Sequence, residues 1–132
     1  MYSKILFVFI GGGIGTVARF LMNYLINFTM LTQISTLLVN VSGSFLFGVI
    51  YSIVSRNSIV SLFLLTGILG GFTTYSQFTF DIIELSKNSQ LTTLAYFFGT
   101  VILSLLAALL GVYIGSKPVS YTHLTLPTIY SV

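Results

Sequence analysis

Three long uncharged runs constrain this chain more than any other feature of its sequence. No Asp, Glu, Lys or Arg occurs in residues 20–55, 57–80 or 88–116, which are runs of 36, 24 and 29 residues. A helix needs about 20 apolar residues to cross the hydrocarbon core of a bilayer. Only 5% of the 132 residues are charged and 55% are hydrophobic, whereas about a quarter of a soluble domain is charged. The sequence therefore predicts an all-α integral membrane protein.

Hydropathy and turn signals divide residues 1–117 into four transmembrane helices that form one domain. The expected ranges are about Ser3–Ile26, Gln33–Ser55, Ile59–Ser86 and Leu91–Ser116. Their polar connectors are short, so neighbouring helices should run antiparallel. Residues 118–132, "PVSYTHLTLPTIYSV", hold both prolines and the only histidine. They lack a helical period, and we expect a disordered or non-native tail.

The few charges predict how the chain inserts and which partners it lacks. The net charge of +3 comes without a basic cluster, so nucleic acid is not an expected partner. Lys4, Arg56 and Lys117 would share one side of the membrane, and Lys87 would lie on the other, together with Arg19 if that side chain snorkels outward. Such a weak bias permits insertion in both orientations, which would allow an antiparallel homodimer.

Small residues recur at four-residue spacing in three of the predicted helices. "GGGIG" at residues 11–15 looks like a dinucleotide-binding loop, but that motif requires a strand before it and a βαβ unit around it. Within an apolar helix, small-xxx-small pairs instead let helix backbones approach closely. The pairs are Gly11/Gly15, Gly67/Gly71 and Gly111/Gly115.

Two polar residues inside the first two helices each leave two interpretations open. Arg19 is either a helix-end residue that reaches the interface or a basic group in an aqueous vestibule that attracts anions. Thr36, Asn40, Gly43 and Ser44 follow one another at spacings of four, three and four, and so share one face of the second helix. Asn40 either joins helices or donates its amide N–H to an anion.

The two carboxylates, Asp81 and Glu84, could form a catalytic pair or a solvated helix end. They lie close to Lys87, which Glu84 can pair with at i, i+3. We therefore expect both at the membrane edge. Because the chain has no cysteine and no cluster of histidines or carboxylates, we do not expect an enzyme.

The stretch "GGFTTYSQF", residues 70–78, places polar residues near the middle of the third span. A helix broken near the bilayer midplane leaves backbone groups that need protein or water as partners. Such breaks mark ion sites, since freed carbonyls coordinate cations and freed N–H groups attract anions. Tyr75 and Phe78 share one face, and the edge of an aromatic ring is partly positive. This face could therefore solvate a small anion.

Three motifs in order give the chain a resemblance to a known family. "GGGIGTVAR", "LLVNVSGSFLFG" and "GILGGFTTYSQF" closely resemble the Fluc (CrcB) fluoride channels of microbes, over roughly residues 4–116. The resemblance implies a fluoride-selective channel that exports fluoride across the cytoplasmic (inner) membrane and relieves its toxicity. It also implies an antiparallel, dual-topology homodimer with two pores and a central sodium ion on the two-fold axis.

The resemblance also assigns roles to single residues. Gly70 and Thr73 would offer backbone carbonyls to the sodium ion. Asn40 matches the pore asparagine, Arg19 the vestibule arginine, and Phe78 the second of two pore phenylalanines.

At other positions the chain departs from the family or continues its polar path. Tyr75 stands where the family has the first pore phenylalanine, and Gln77 replaces a usual threonine. Tyr96, Thr100 and Ser104 resemble a polar track on the fourth helix. With Thr36 of the second helix, these hydroxyls would replace the water shell of fluoride in steps.

A small dual-topology multidrug or cation exporter is the alternative function. Proton-coupled export usually needs a carboxylate inside the membrane, and the sequence offers none before Asp81.

Overall fold

All the regular secondary structure is helical in the part of the chain that the structure, a computed structural model, describes. The structure describes the backbone of residues 1–130 and the side chains of residues 1–117. The predicted tail, residues 118–132, falls outside the described side chains, so its nature stays a prediction. Within residues 1–117 there are four helical segments that are long and apolar enough to cross a membrane. The all-α prediction with four spans is confirmed at this level.

The four spans begin and end within two residues of the predicted bounds, although the last helix continues beyond its span. The first two helices are α1, Tyr2–Asn27, and α2, Thr32–Ile53. The third span, Ile59–Ser86, consists of several helical segments, and α6, Gln90–Tyr130, supplies the fourth span at Gln90–Lys117. In the packing, α2 lies mainly against α6, and α1 lies against the first half of the third span.

The third span changes backbone conformation several times along its length. It begins with α3, Ile59–Ser61, continues as a π-helix over Leu62–Leu69, and returns to α-helix in α4, Gly70–Phe72. Thr73 and Thr74 then adopt extended backbone angles, with ψ of 155° and 118°. The helix resumes as α5, Tyr75–Ser86.

The glycines of this span are not where the backbone leaves the helix. Gly70 has φ −63° and ψ −35°, which are helical angles, and no glycine in the described backbone has a positive φ. The extended residues are the two threonines that follow. The contribution of these glycines to the span is therefore their small size and not unusual backbone angles.

Glycines set the close packing of the helices, as their spacing predicted. A Cβ atom added to Gly11 would lie 2.6 Å from the carbonyl oxygen of Phe63, and one added to Gly71 would lie 2.5 Å from that of Gly12. Both atoms are backbone atoms, which cannot move aside cheaply. On the other side of the molecule, a Cβ at Gly111 would lie 2.9 Å from the backbone nitrogen of Val49. The backbones of α1 and the third span, and those of α2 and α6, therefore approach each other only because these residues lack side chains.

Candidate functional site

A cavity of about 330 Å³ opens where α2, α5 and α6 meet beside the extended residues of the third span. Its lining is apolar apart from a few hydroxyl and amide groups. The lining residues are Asn40, Ser44, Thr73, Thr74, Tyr75, Phe78, Thr100, Val101, Ser104 and Leu105. Five of the predicted pore residues are thus brought together at one site.

Two hydroxyl groups in this lining are buried without a partner. Thr100 Oγ1 and Ser104 Oγ are inaccessible and make no hydrogen bond within the part of the chain whose side chains are described. Other hydroxyls of α6 donate to the backbone carbonyl four residues earlier. Thr93 Oγ1 donates to the Ser89 carbonyl and Ser116 Oγ to the Val112 carbonyl, each at 2.7 Å. A buried hydroxyl without a partner costs about 1–3 kcal/mol. Thr100 and Ser104 therefore retain unused hydroxyl donors beside the cavity.

Asn40 connects α2 to the extended residues of the third span. Its Oδ1 accepts from the Thr74 N–H at 2.8 Å, and its Nδ2 donates to the Thr74 carbonyl at 2.9 Å. Because the backbone N–H can only donate and the carbonyl can only accept, this pair of bonds fixes the orientation of the carboxamide. One Nδ2 hydrogen remains unused by these bonds. Asn40 therefore joins helices and also keeps a donor at the cavity.

The same region leaves two backbone carbonyls without their usual helical donors. In a continuous helix the Thr74 N–H would bond to the Gly70 carbonyl, but here it bonds to Asn40. The Gln77 N–H would bond to the Thr73 carbonyl, but here it bonds to Thr74 Oγ1 at 3.1 Å, which caps α5. Both carbonyls named for sodium in the sequence analysis have therefore lost their i+4 partner.

The two aromatic residues of this region have different surroundings. Phe78 is 6% exposed and packs against Tyr96, with ring centroids 5.5 Å apart. Tyr75 is 80% exposed, although its ring lies 5.9 Å from that of Phe78. Phe78 is thus enclosed by the helices of the chain, whereas Tyr75 extends from them.

Asp81 is buried, although the sequence predicts a solvated helix end for both carboxylates. The expectation of a solvated helix end is confirmed for Glu84, whose carboxylate pairs with Lys87 Nζ at 2.8 Å on the surface. It is wrong for Asp81, which is only 1% exposed. Its Oδ1 accepts from Gln77 Nε2 at 3.0 Å, and its Oδ2 accepts from the Tyr96 hydroxyl at 2.8 Å. Asp81 and Glu84 are only three residues apart, but Asp81 is buried and Glu84 is exposed.

Three predicted pore residues lie outside the cavity lining: Tyr96, which packs against Phe78, and also Thr36 and Arg19. Thr36 is 1% exposed, and its hydroxyl donates to the Thr32 carbonyl at 3.2 Å within α2. Arg19 is half-buried, and its Nε donates to the Gly71 carbonyl at 3.1 Å. The Arg19 head group therefore holds α1 to α4 next to the extended residues.

Two participants in this region, Ser44 and Asp81, were given no binding role from the sequence. Ser44 lines the cavity one turn beyond Asn40, and its place on the same face of α2 was the available signal. Asp81 could have been recognised from Gln77, since an amide and a carboxylate at i, i+4 on a helix commonly pair.

These features define a class of protein. Four apolar spans, close helix packing through glycines, and a cavity with a few unpaired donors are typical of a multi-pass membrane protein with a site for a small polar ligand.

Comparison with known proteins makes the assignment specific. The sequence model described as "CrcB-like protein, Camphor Resistance (CrcB)" matches residues 6–112, and the chain belongs to this family. The fluoride-specific ion channel FluC of Gloeothece citriformis is 37% identical over 117 residues, which cover 84% of this chain and 95% of that protein. The FluC of Rhizobium meliloti is 40% identical over 120 residues, covering 83% and 93%. Staphylococcus haemolyticus FluC 1 is 37% identical over 113 residues.

Proposed function

We propose that this protein is a fluoride-selective ion channel of the cytoplasmic membrane, which lets fluoride leave the cell and so relieves its toxicity. The observation that carries the proposal is the pair of buried, unpartnered hydroxyls of Thr100 and Ser104 in the cavity that Asn40 and Phe78 also line. A small, strongly hydrated anion supplies the acceptor that these hydroxyls lack. The names of the relatives, which are fluoride-specific ion channels, agree with this assignment.

The donors of the cavity would replace the water shell of fluoride without trapping the ion. Asn40 offers one N–H, and Thr100 and Ser104 offer two hydroxyls spaced one helical turn apart. The edge of the Phe78 ring adds partial positive charge. No lysine or arginine lines the cavity, so fluoride would meet only partial charges. Binding at several weak sites favours both entry and exit, as conduction requires.

The functional unit in this proposal is an antiparallel, dual-topology homodimer. Tyr75 is 80% exposed on a single subunit, next to the opening of the cavity, and a second copy would cover it. The chain contains no cysteine, so one cysteine introduced near the N-terminus gives a unique label. Labelling by an impermeant maleimide from each side of the native membrane should reach part of the population. Labelling from one side alone would rule out the dual-topology dimer.

A sodium ion on the dimer axis completes the proposed assembly. The carbonyls of Gly70 and Thr73 fit such an ion because the extended residues deprive them of their helical donors. Carbonyl oxygens are suitable ligands for a hard cation, and two subunits would provide four of them. An experimental structure should show an ion with about four carbonyl contacts. An ion held instead by Asp81 or Glu84 would contradict this assignment.

Fluoride efflux from liposomes tests the function directly. The full chain would be reconstituted with potassium fluoride inside and valinomycin to carry the counter-ion, and a fluoride electrode would record the efflux. We expect rapid fluoride efflux, and no comparable chloride efflux from matched liposomes. Absent fluoride efflux, or equal rates for the two halides, would refute the proposal.

Asp81 gives one specific observation in favour of the exporter alternative. A buried carboxylate in a span is the group that proton-coupled export requires. An exporter would accumulate a cationic dye in the same liposomes when a proton gradient is imposed. We expect no such accumulation, and dye uptake without fluoride efflux would establish the alternative.

A further inference from the structure

The Gln77–Asp81–Tyr96 cluster, which lies beyond Phe78 from the cavity, determines where the Tyr96 hydroxyl proton points. Tyr96 packs on the face of Phe78, one helical turn before Thr100 on α6. By its position alone, Tyr96 would continue the row of hydroxyl donors formed by Thr100 and Ser104. Its hydroxyl proton, however, is directed to Asp81 Oδ2 at 2.8 Å.

A tyrosine hydroxyl has a single proton to donate. While that proton is bonded to Asp81, the oxygen of Tyr96 presents only lone pairs to its other neighbours. Lone pairs repel an anion. Tyr96 therefore differs from Thr100 and Ser104, whose protons have no acceptor within the described part of the chain.

Asp81 holds the Tyr96 proton firmly because the carboxylate has few other partners. It is 1% exposed, so water does not compete for it. In residues 1–117 the only ion pair joins Glu84 and Lys87, which leaves Asp81 without a cation. Gln77 Nε2 donates to Oδ1 at 3.0 Å and thereby turns Oδ2 towards Tyr96. A buried carboxylate with two neutral donors loses much of its stabilisation if either donor leaves.

We propose that Asp81, oriented by Gln77, is a positioning residue that withholds the Tyr96 hydroxyl from fluoride. Tyr96 then serves the pathway through its ring, which supports Phe78, and the hydroxyl donors along α6 end at Thr100. This inference rests on the proposed fluoride channel function, and it reverses the donor role that the resemblance implied for Tyr96.

A double-mutant comparison of fluoride efflux tests the coupling between the two residues. Tyr96→Phe removes the hydroxyl and keeps the ring, and we expect efflux to change by less than about twofold. Asp81→Leu removes the acceptor and frees the hydroxyl for the ion. In that background the same Tyr96→Phe change should lower efflux by about tenfold or more, because a donor to a charged partner is then lost. Tyr113→Phe, on an exposed part of α6, is the matched control and should be neutral in both backgrounds.

Two outcomes of the efflux comparison would overturn the inference. One is a severe loss of efflux in Tyr96→Phe alone with the dimer intact, which would make the hydroxyl a fluoride donor. The other is an equal effect of Tyr96→Phe in both backgrounds, which would show no coupling.

A spectroscopic measurement tests the same inference without any ion flux. Ultraviolet resonance Raman spectra report whether a tyrosine hydroxyl donates or accepts, and subtracting the Tyr96→Phe spectrum isolates Tyr96. We expect the signature of a strong donor in the parent chain, unchanged by added fluoride. The signature of an acceptor, or a donor signature that fluoride alters, would refute the proposal even if Asp81→Leu failed to fold. Because no transport is measured, failure here is distinct from failure of the channel function.

Discussion

Asn40→Asp perturbs the cavity with a change of a single group. Asp has nearly the shape of Asn, and one carboxylate oxygen can still accept the Thr74 N–H, as Asn40 Oδ1 does at 2.8 Å. The other carboxylate oxygen takes the place of Asn40 Nδ2, which in the parent chain donates to the Thr74 carbonyl at 2.9 Å. The substitution therefore changes the charge, and it removes both the bond to the carbonyl and the free N–H.

The expected loss can be worked out from the charge. Two unit charges about 5 Å apart in a medium of effective dielectric constant near 20 repel by about 3 kcal/mol. A difference of about 1.4 kcal/mol is tenfold, so the repulsion alone corresponds to a reduction of about two orders of magnitude in fluoride occupancy. The Thr74 carbonyl, which as the N-cap of α5 still accepts a bond within that helix, loses its second partner, and this loss costs about 0.5–1.5 kcal/mol.

Liposome efflux of fluoride is the assay, with Asn23→Asp as the matched control. Asn23 uses its Oδ1 to accept from the Ser35 hydroxyl, which a carboxylate also does, and it lies outside the cavity. We expect Asn23→Asp to retain efflux and Asn40→Asp to lose it at least a hundredfold, with both variants eluting as dimers. Parental efflux in Asn40→Asp would show that Asn40 only joins α2 to the third span, and that the anion does not approach it.

Two further predictions test the aromatic residues and the glycine packing. Phe78→Ile keeps apolar bulk but removes the positive ring edge, so fluoride efflux should fall severely, whereas Tyr75→Phe keeps the edge and should retain efflux; the opposite order would refute the ring-edge mechanism. Gly11→Ala places a methyl group 2.6 Å from a backbone oxygen, so the free energy of unfolding should fall by about 1–3 kcal/mol, measured by thermal unfolding in detergent. Gly12→Ala, with nothing within 4 Å of the added carbon, should show no loss, and equal behaviour of the two variants would contradict the packing argument.

The four spans were predictable because the membrane imposes a simple requirement on composition. Uncharged runs of sufficient length identify the helices, and the spacing of Gly11, Gly15, Gly67 and Gly71 identifies how closely they pack. These properties depend on neighbours along the chain or on the absence of a side chain. Both can be predicted without knowing which residues of different helices face each other.

Asp81 and Thr74 were harder to place because their environments depend on other helices. Asp81 is near Lys87 in sequence, but the rotation of α5 turns it towards Tyr96 of α6. The backbone of Thr74 is extended because Asn40 of α2 bonds to both its N–H and its carbonyl. The spacing of Gln77 and Asp81 indicates that these two side chains can pair, but no local pattern shows which residue of another helix Asp81 or Thr74 will contact.

The carboxamide of Asn40 has consequences for the order in which this protein assembles. A carboxamide carries the same donor and acceptor as a peptide group, so Asn40 supplies the acceptor that the Thr74 N–H lacks and adds a second donor to the Thr74 carbonyl. Without α2 beside it, the third span would recover a partner for the Thr74 N–H only by closing into an uninterrupted helix, since lipid provides no substitute. The span should therefore enter the bilayer straight and acquire its extended residues only when it docks against α2. The ion-binding geometry would then be a product of tertiary assembly, formed late and only in correctly packed subunits.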